Sequence, residues 1–241
     1  MRIDKFISES GIASRKEASV SAKRGLITVD GKVVKDASVH INPEIQTVSY
    51  MGHEVLYRRY VYVMLNKPQG YVSATEDSKL PVVTELLPEN LRKMELFPVG
   101  RLDKDTTGLM VLTNNGKLAH HLLSPKRHVT KEYSFECSPE LPKDAEEKFR
   151  LGIVLADGYE CKPSILSCNP ERTGGTIILT EGKYHQIKRM TASLGSKITA
   201  LRRIKFADIP LDESLGEGEW RYLTSTEIKS LEEKAPQNYD K

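Results

Sequence analysis

Three short segments of the chain concentrate side chains that could do chemistry. Gly100-Arg-Leu-Asp-Lys-Asp-Thr-Thr-Gly108 sets two carboxylates, two cations and two hydroxyls between glycines, directly before the apolar run Leu109–Thr113. A polar loop fixed to a buried strand is a common place for catalytic groups. It lacks the Gly-Lys-Ser/Thr ending of a phosphate-cradling loop, and Asp103 and Asp105 could equally cap the backbone of an ordinary turn. Glu181-Gly-Lys-Tyr-His-Gln-Ile-Lys-Arg-Met190 enters a helix with an apolar stripe of Ile187, Met190 and Leu194. His185, Lys188 and Arg189, at i, i+3 and i+4, are expected to line another face together. Asn66-Lys-Pro-Gln-Gly70 follows a buried-looking strand and by itself reads as a turn. His185 has no second ligand at zinc spacing, and Cys137, Cys161 and Cys168 form no CxxC pair. No metal site is therefore expected, and the cysteines read as reduced packing residues.

The elements that must position these segments alternate irregularly. Strands are expected over 60–65, 108–113, 132–137, 164–168 and 176–180, and helices over 117–123, 143–151, 184–194 and 225–234. Such an order predicts an α+β domain with a mixed, largely antiparallel sheet. It occupies residues 58–235, behind a polar linker from His53 to Arg59, with a flexible tail over 236–241.

Residues 1–57 form a different unit. Ile3, Phe6 and Ile7 make one helical stripe, stopped by Gly11. Ser14 to Glu17 is a capping box that opens a second helix, which ends at Gly25. Strand, Asp30-Gly31 turn and strand follow, giving a small αα-β-hairpin module. The 241-residue chain has a net charge of only +3. Residues 1–40 carry eight cations (Arg2, Lys5, Arg15, Lys16, Lys23, Arg24, Lys32, Lys35) against five acids, so they hold that whole excess. Lys16 and Lys23 share a helix face flanked by Arg15 and Arg24. A rigid basic face suits the phosphate backbone of folded RNA; a solvated charged face is an equal reading from charge alone. The longest apolar run, 60–65, cannot span a bilayer, and the first residues show no apolar signal segment, so a cytoplasmic protein without membrane contact is expected.

RIDKFISESGIASRKEA…GLITVDGKVV resembles the RNA-binding module named after ribosomal protein S-four, which implies RNA contact through Arg2, Lys5, Arg15, Lys16, Lys23 and Arg24. The three chemical segments resemble, in order and spacing, the motifs of RNA pseudouridine synthases, and the likeness runs from Arg2 to about Thr226. In GRLDKDTTG it implies that Asp103 is the catalytic carboxylate. Lys131-Glu-Tyr133 matches the segment of the active-site tyrosine, and HQIK the segment whose cation pairs with the aspartate, here Lys188. Many synthases carry arginine there, and lysine makes no bidentate fork, so Arg189 is the alternative partner and otherwise an RNA contact. Arg101 is expected to meet RNA phosphate or fill the gap left by a flipped base, or else to pair with Asp105.

LNKPQGYVSATED and EGKYHQIKRM look most like the RsuA-type synthases of small-subunit (16S) rRNA. The resemblance thus implies an isomerase acting on ribosomal RNA, free or in an assembling small subunit; with no cofactor motif and no sign of a dimer interface in the sequence, a cofactor-free monomer is expected. A large-subunit rRNA synthase, or a non-catalytic RNA-binding or ribosome-assembly protein of the same fold, are the alternatives. The chemistry suits the residues. Pseudouridine formation breaks the N-glycosidic bond and rejoins the retained base through carbon, so one carboxylate can serve where hydrolytic glycosidases need two. A cation beside it favours its charged form and orients it. Tyr133 could stack on the extruded base; as a residue of an expected strand it could also simply pack.

Overall fold

The computed structural model describes residues 1–235 except Leu56 and Arg58; the expected tail over 236–241 lies outside the described residues. The chain forms two units, Met1–Val61 with Leu87–Phe97, and Tyr62–Leu86 with the residues from Pro98 onward.

In the first unit, α1 (Ile3–Glu9) buries Ile3, Phe6 and Ile7. Gly11 follows at φ +69°, and a Cβ there would collide with the Asn90 carbonyl, so glycine is required twice over. The Ser14–Glu17 capping box is formed and opens α2 (Arg15–Lys23), which buries Ala18, Ser21 and Ala22. β1 (Ile27–Val29) pairs with β2 (Lys32–Val33) through Asp30 and Gly31, both at positive φ, as a two-residue hairpin demands. Two further strands, β3 (Val48–Tyr50) and β4 (His53–Glu54), extend the hairpin to a four-stranded sheet of order β2-β1-β3-β4. The expected linker after His53 is therefore partly structure. Val55 is buried, and Tyr57 stacks on Phe6 at 5.1 Å and donates a hydrogen bond to Glu9. Those contacts use an aromatic and an aliphatic side chain that a polar segment conceals. The short helix α3 (Glu89–Arg92) belongs to the same unit, with Leu91 fully buried.

The second unit is built on β5 (Tyr62–Lys67), β6 (Phe97–Pro98), β7 (Thr107–Thr113), β8 (Lys131–Ser138), β9 (Ile165–Cys168), β10 (Gly174–Leu179), β11 (Lys197–Phe206), β12 (Ile209–Pro210) and β13 (Trp220–Tyr222). The sheet order is β13-β5-β7-β11-β8-β10-β9, with β12 beside β11 and β6 beside β7. Along that order every pairing is antiparallel except the short parallel contact of β7 with β11. Helices α4 (Gly116–Leu123), α5 (Ala145–Leu151), α6 (Gln186–Ser193) and α7 (Ser225–Glu233) complete an α+β fold. β5 and β7 are buried at every residue, which is why their sequences run apolar without alternation.

Three expectations are corrected. No strand is expected over 197–206, yet β11 is the longest strand and joins β7 to β8; its Lys197, Arg202, Arg203 and Lys205 mask the alternation. The strand expected from Tyr60 begins at Tyr62 and ends at Lys67, which carries a lysine into the sheet. The helix expected from Tyr184 begins at Gln186, because His185 has φ +47° and breaks the helical path.

Candidate active site

The loop before β7, the middle of β8 and the start of α6 converge on one small pocket. Arg101, Asp103, Thr106, Tyr133, Glu181, His185, Lys188 and Leu201 are among its lining residues. Asp103 and Lys188 face each other there, with Lys188 Nζ 3.0 Å from Asp103 Oδ2 and 2.5 Å from Asp105 Oδ1. One ammonium thus bridges two carboxylates. Burial disfavours the Lys188 charge, but hydrogen bonds to Asp105 and Asp103 outweigh it and raise its pKa. Asp105 is opposed by burial in the same way, yet the Lys188 contact lowers its pKa. Asp105 therefore pairs with Lys188, not with Arg101, which is exposed.

His185 joins Lys188 at the pocket, as the spacing suggests, and Arg189 does not. The left-handed turn at His185 points its ring at Asp103, Nε2 lying 3.5 Å from Oδ1. Arg189 turns away to pair with Asp157, and its Nη1 donates to the Tyr184 carbonyl at 3.5 Å. In the structure the cation beside Asp103 is Lys188. The turn itself is pinned from below. Buried Glu181 accepts from Tyr159 Oη at 2.7 Å, the Lys162 amide at 3.0 Å and Gln186 Nε2 at 2.6 Å. Through that bond, with some burial, Glu181 pushes the Tyr159 phenol up to about 12.

Tyr133 is 8% exposed, a pocket residue and not a surface one. It stands across the strand register from Arg203. Arg203 is the largest fully buried side chain; its Nε donates to the Leu109 carbonyl at 2.7 Å and its guanidinium lies 5.2 Å from the Phe206 ring centre. Burial lowers the Arg203 pKa, and Tyr133 partly offsets this.

Lys67 was legible only as a turn residue. It is fully buried, and its ammonium donates to the carbonyls of Thr106 (2.8 Å), Pro68 (3.0 Å) and Lys104 (3.4 Å). It holds the Asp103 loop from behind by backbone atoms on both sides of Asp105. Burial brings its pKa down to about 8, against the pull of Asp105 and Asp103. Gly108 closes the loop at φ +96°, where a Cβ would collide with the Arg203 carbonyl. Thr106 Oγ1 is buried in the pocket wall with no hydrogen-bond partner among the described residues. Among those residues no three His, Cys, Asp or Glu side chains cluster as metal ligands would, and no helix is long and apolar enough to cross a membrane.

In the first unit, Arg15, Lys16, Lys23 and Arg24 are exposed, and none has a carboxylate within 4 Å among the described residues. Arg2 is engaged by Asp4 at 2.6 Å, and Lys5 stands 3.5 Å from Glu9. The cations of α2 and its C-cap Arg24 are thus free of a local carboxylate among the described residues, whereas Arg2 and Lys5 are not.

A mixed sheet thus carries a lysine-bridged aspartate and a buried tyrosine on the wall of one pocket. Residues 61–193 match the family model described as RNA pseudouridylate synthase, and residues 1–46 match that of the S4 domain. The chain is 42% identical over 236 residues to the "Uncharacterized RNA pseudouridine synthase YtzG" of Bacillus subtilis, covering 97% of this chain and 99% of the relative. It is 38% identical to ribosomal small subunit pseudouridine synthase A of Escherichia coli strain K12, over 96% of this chain and all of the relative. A crystal structure of a pseudouridylate synthase superposes with a TM-score of 0.68 at 35% identity, covering 96% of this chain and 99% of the other. The chain belongs to the RNA pseudouridine synthase family, whose members are isomerases, and carries an N-terminal S4 domain.

Proposed function

We propose that this protein isomerises one uridine to pseudouridine in small-subunit (16S) ribosomal RNA. The observation that carries the chemistry is Asp103 held 3.0 Å from the Lys188 ammonium in the pocket that Tyr133 lines. The small-subunit target follows from similarity to relatives named ribosomal small subunit pseudouridine synthase A. The target base leaves its stack and enters the pocket, as enzymes acting on a base require. Asp103, oriented by Lys188, acts on the ribose as the N1–C1′ bond breaks. The uracil turns while held against Tyr133, and C5 bonds to C1′. C5 then loses its hydrogen and N1 gains one, so atoms and electrons balance without redox partner or metal. Thr106 Oγ1 offers the otherwise unmatched hydroxyl to a polar atom of the bound nucleotide.

In this division of labour residues 1–57 supply RNA affinity and placement, and 58–235 the chemistry. The segment Leu87–Phe97 packs with the first unit although it lies in the second stretch of sequence. A monomer acting in the cytoplasm completes the reading, with the three free cysteines and a ribosomal substrate in keeping with that compartment. The test is a pseudouridine map of ribosomal RNA from cells with and without the protein. Loss of one small-subunit site is expected. Loss of a large-subunit site instead would overturn the target, and an unchanged map would overturn the activity.

A further inference from the structure

We propose that the ring of Tyr184 is a stacking platform for a nucleobase of the RNA strand next to the uridine that enters the Asp103 pocket; this rests on the pseudouridine synthase reading above. Tyr184 is 74% exposed. One face of its ring is covered by His185, with centroids 3.9 Å apart and planes 18° from parallel. Side chains of consecutive helical residues diverge by about 100°. The left-handed backbone at His185 is what allows this pair of rings to stack. A non-glycine residue held in that conformation at a functional site is a sign that the surroundings over-determine it. They do so here: Glu181 and Gln186 pin the turn from inside, and Arg189 donates to the Tyr184 carbonyl. The exposed ring is therefore presented on a fixed support.

Its location indicates the ligand. Tyr184 lies on a groove of about 850 Å³ that shares Arg101, Leu102, Asp103, Lys183 and His185 with the catalytic pocket. The groove continues the pocket outward from Asp103 and offers a path for the strand that delivers the uridine. Arg101, Lys104 and Lys183 are exposed on its walls. Apart from Asp103 its one carboxylate is Asp77, which is occupied by the amides of Lys79 and Leu80. Cations suit phosphates, and a single aromatic face among them suits a base that has lost its neighbour. Extruding a uridine creates such a base on either side of it, and these unstacked nucleotides need a new surface. The stacked Tyr184–His185 pair offers one beside Asp103, since His185 touches both the platform and the catalytic carboxylate.

The experiment uses the full chain and small-subunit rRNA transcript carrying tritium at uracil C5. Each isomerisation breaks one C5–H bond and releases the label. Single-turnover release is followed over a range of protein concentrations for wild type, Tyr184→Ala, Tyr184→Phe and Tyr184→Trp, with filter binding of the same transcript in parallel. For Tyr184→Ala, the protein concentration at half the limiting rate and the dissociation constant should both rise roughly tenfold. The limiting rate should stay within about twofold, since the platform does not touch the reacting atoms. Phe and Trp, which keep a ring, should behave like wild type. Wild-type affinity in Tyr184→Ala would overturn the proposal, as would a Phe variant as impaired as Ala, since the hydroxyl and not the ring would then be at work. If wild type releases no tritium while Tyr184→Ala still binds roughly tenfold more weakly, the isomerase reading falls and the stacking contact stands.

Discussion

Lys188 shares its ammonium between Asp103 and Asp105, so the two aspartates are coupled through one cation. Removing it by Lys188→Ala should slow single-turnover conversion about 10- to 100-fold, the range expected for a lost hydrogen bond between charged groups. Asp105→Asn leaves Lys188 with Asp103 and should slow conversion less than about tenfold. Equal losses in the two variants would contradict this ranking. Thr106→Val replaces an unmatched buried hydroxyl with a methyl of the same shape. Its melting temperature should hold or rise, because nothing in the protein pairs with that oxygen. Conversion should fall if the hydroxyl meets the nucleotide; undiminished conversion would remove it from the pocket chemistry.

Lys67 gives a prediction in pH. Its pKa falls to about 8 in the folded protein from 10.5. Between those values the unfolded chain holds a proton that the folded one has released, so this group makes stability rise with pH there. Lys67→Met should flatten the slope of unfolding free energy between about pH 8.5 and 10 by up to about 1.4 kcal/mol per pH unit. An unchanged slope would show that burial does not disfavour the Lys67 charge as described. Asp103, Tyr133 and Lys188 could all be singled out from their motifs, and His185 from its spacing to Lys188, whereas Lys67 read only as a turn residue. A lysine before proline reads as a turn cation, because the three carbonyls that justify burying it come from residues up to 39 positions away. The spacing did not show that His185 stands before the helix, in a left-handed turn.

At the scale of elements, the catalytic loop ends where β7 meets β11, and Gly108 is the point of closest approach. Gly108→Ala adds a left-handed penalty and a clash with the Arg203 carbonyl, in a place where neither backbone can retreat. Differential scanning calorimetry should show a loss of about 3 kcal/mol, or roughly 6–12 °C in melting temperature. A shift within about 1 °C would mean that the strand contact is looser than the register implies. The elements legible from sequence were those with plain signals, such as the capping box of α2, the Asp30-Gly31 hairpin and the unbroken apolar runs of β5 and β7. β11 carried the wrong signal. Its inward side includes Arg203, whose charge is accepted because a carbonyl, a phenol and an aromatic ring surround it. Sequence pattern counts that residue as solvent-facing, so the strand that joins the two halves of the sheet disappears from view.

At the scale of the whole molecule, the net charge of +3 is small, and affinity for RNA must come from local cations. If helix α2 meets phosphates, Lys16→Ala and Lys23→Ala should each reduce the slope of log affinity against log salt by about one. Arg2→Ala should change it less, since Asp4 already engages Arg2. Salt titrations of rRNA binding that leave the slope unchanged in both lysine variants would move the RNA elsewhere on the protein. The order of the S4 domain and the synthase motifs was readable along the chain, but the packing of Leu87–Phe97 with the first unit was not, since it depends on contacts such as Asn90 against Gly11, far apart in sequence. Across all three scales, the fold sets one carboxylate, Asp103, beside Lys188 in the pocket that the proposal gives to an extruded uridine. The most direct measurement is single-turnover release of C5 tritium from labelled small-subunit rRNA by Asp103→Asn, with binding followed separately. Asparagine keeps the shape and loses the charge and nucleophilicity, so release should vanish while affinity stays within about twofold, because most RNA contacts are to phosphates. An Asp103→Asn protein that still releases tritium at a measurable single-turnover rate would contradict the assignment of Asp103 as the catalytic group.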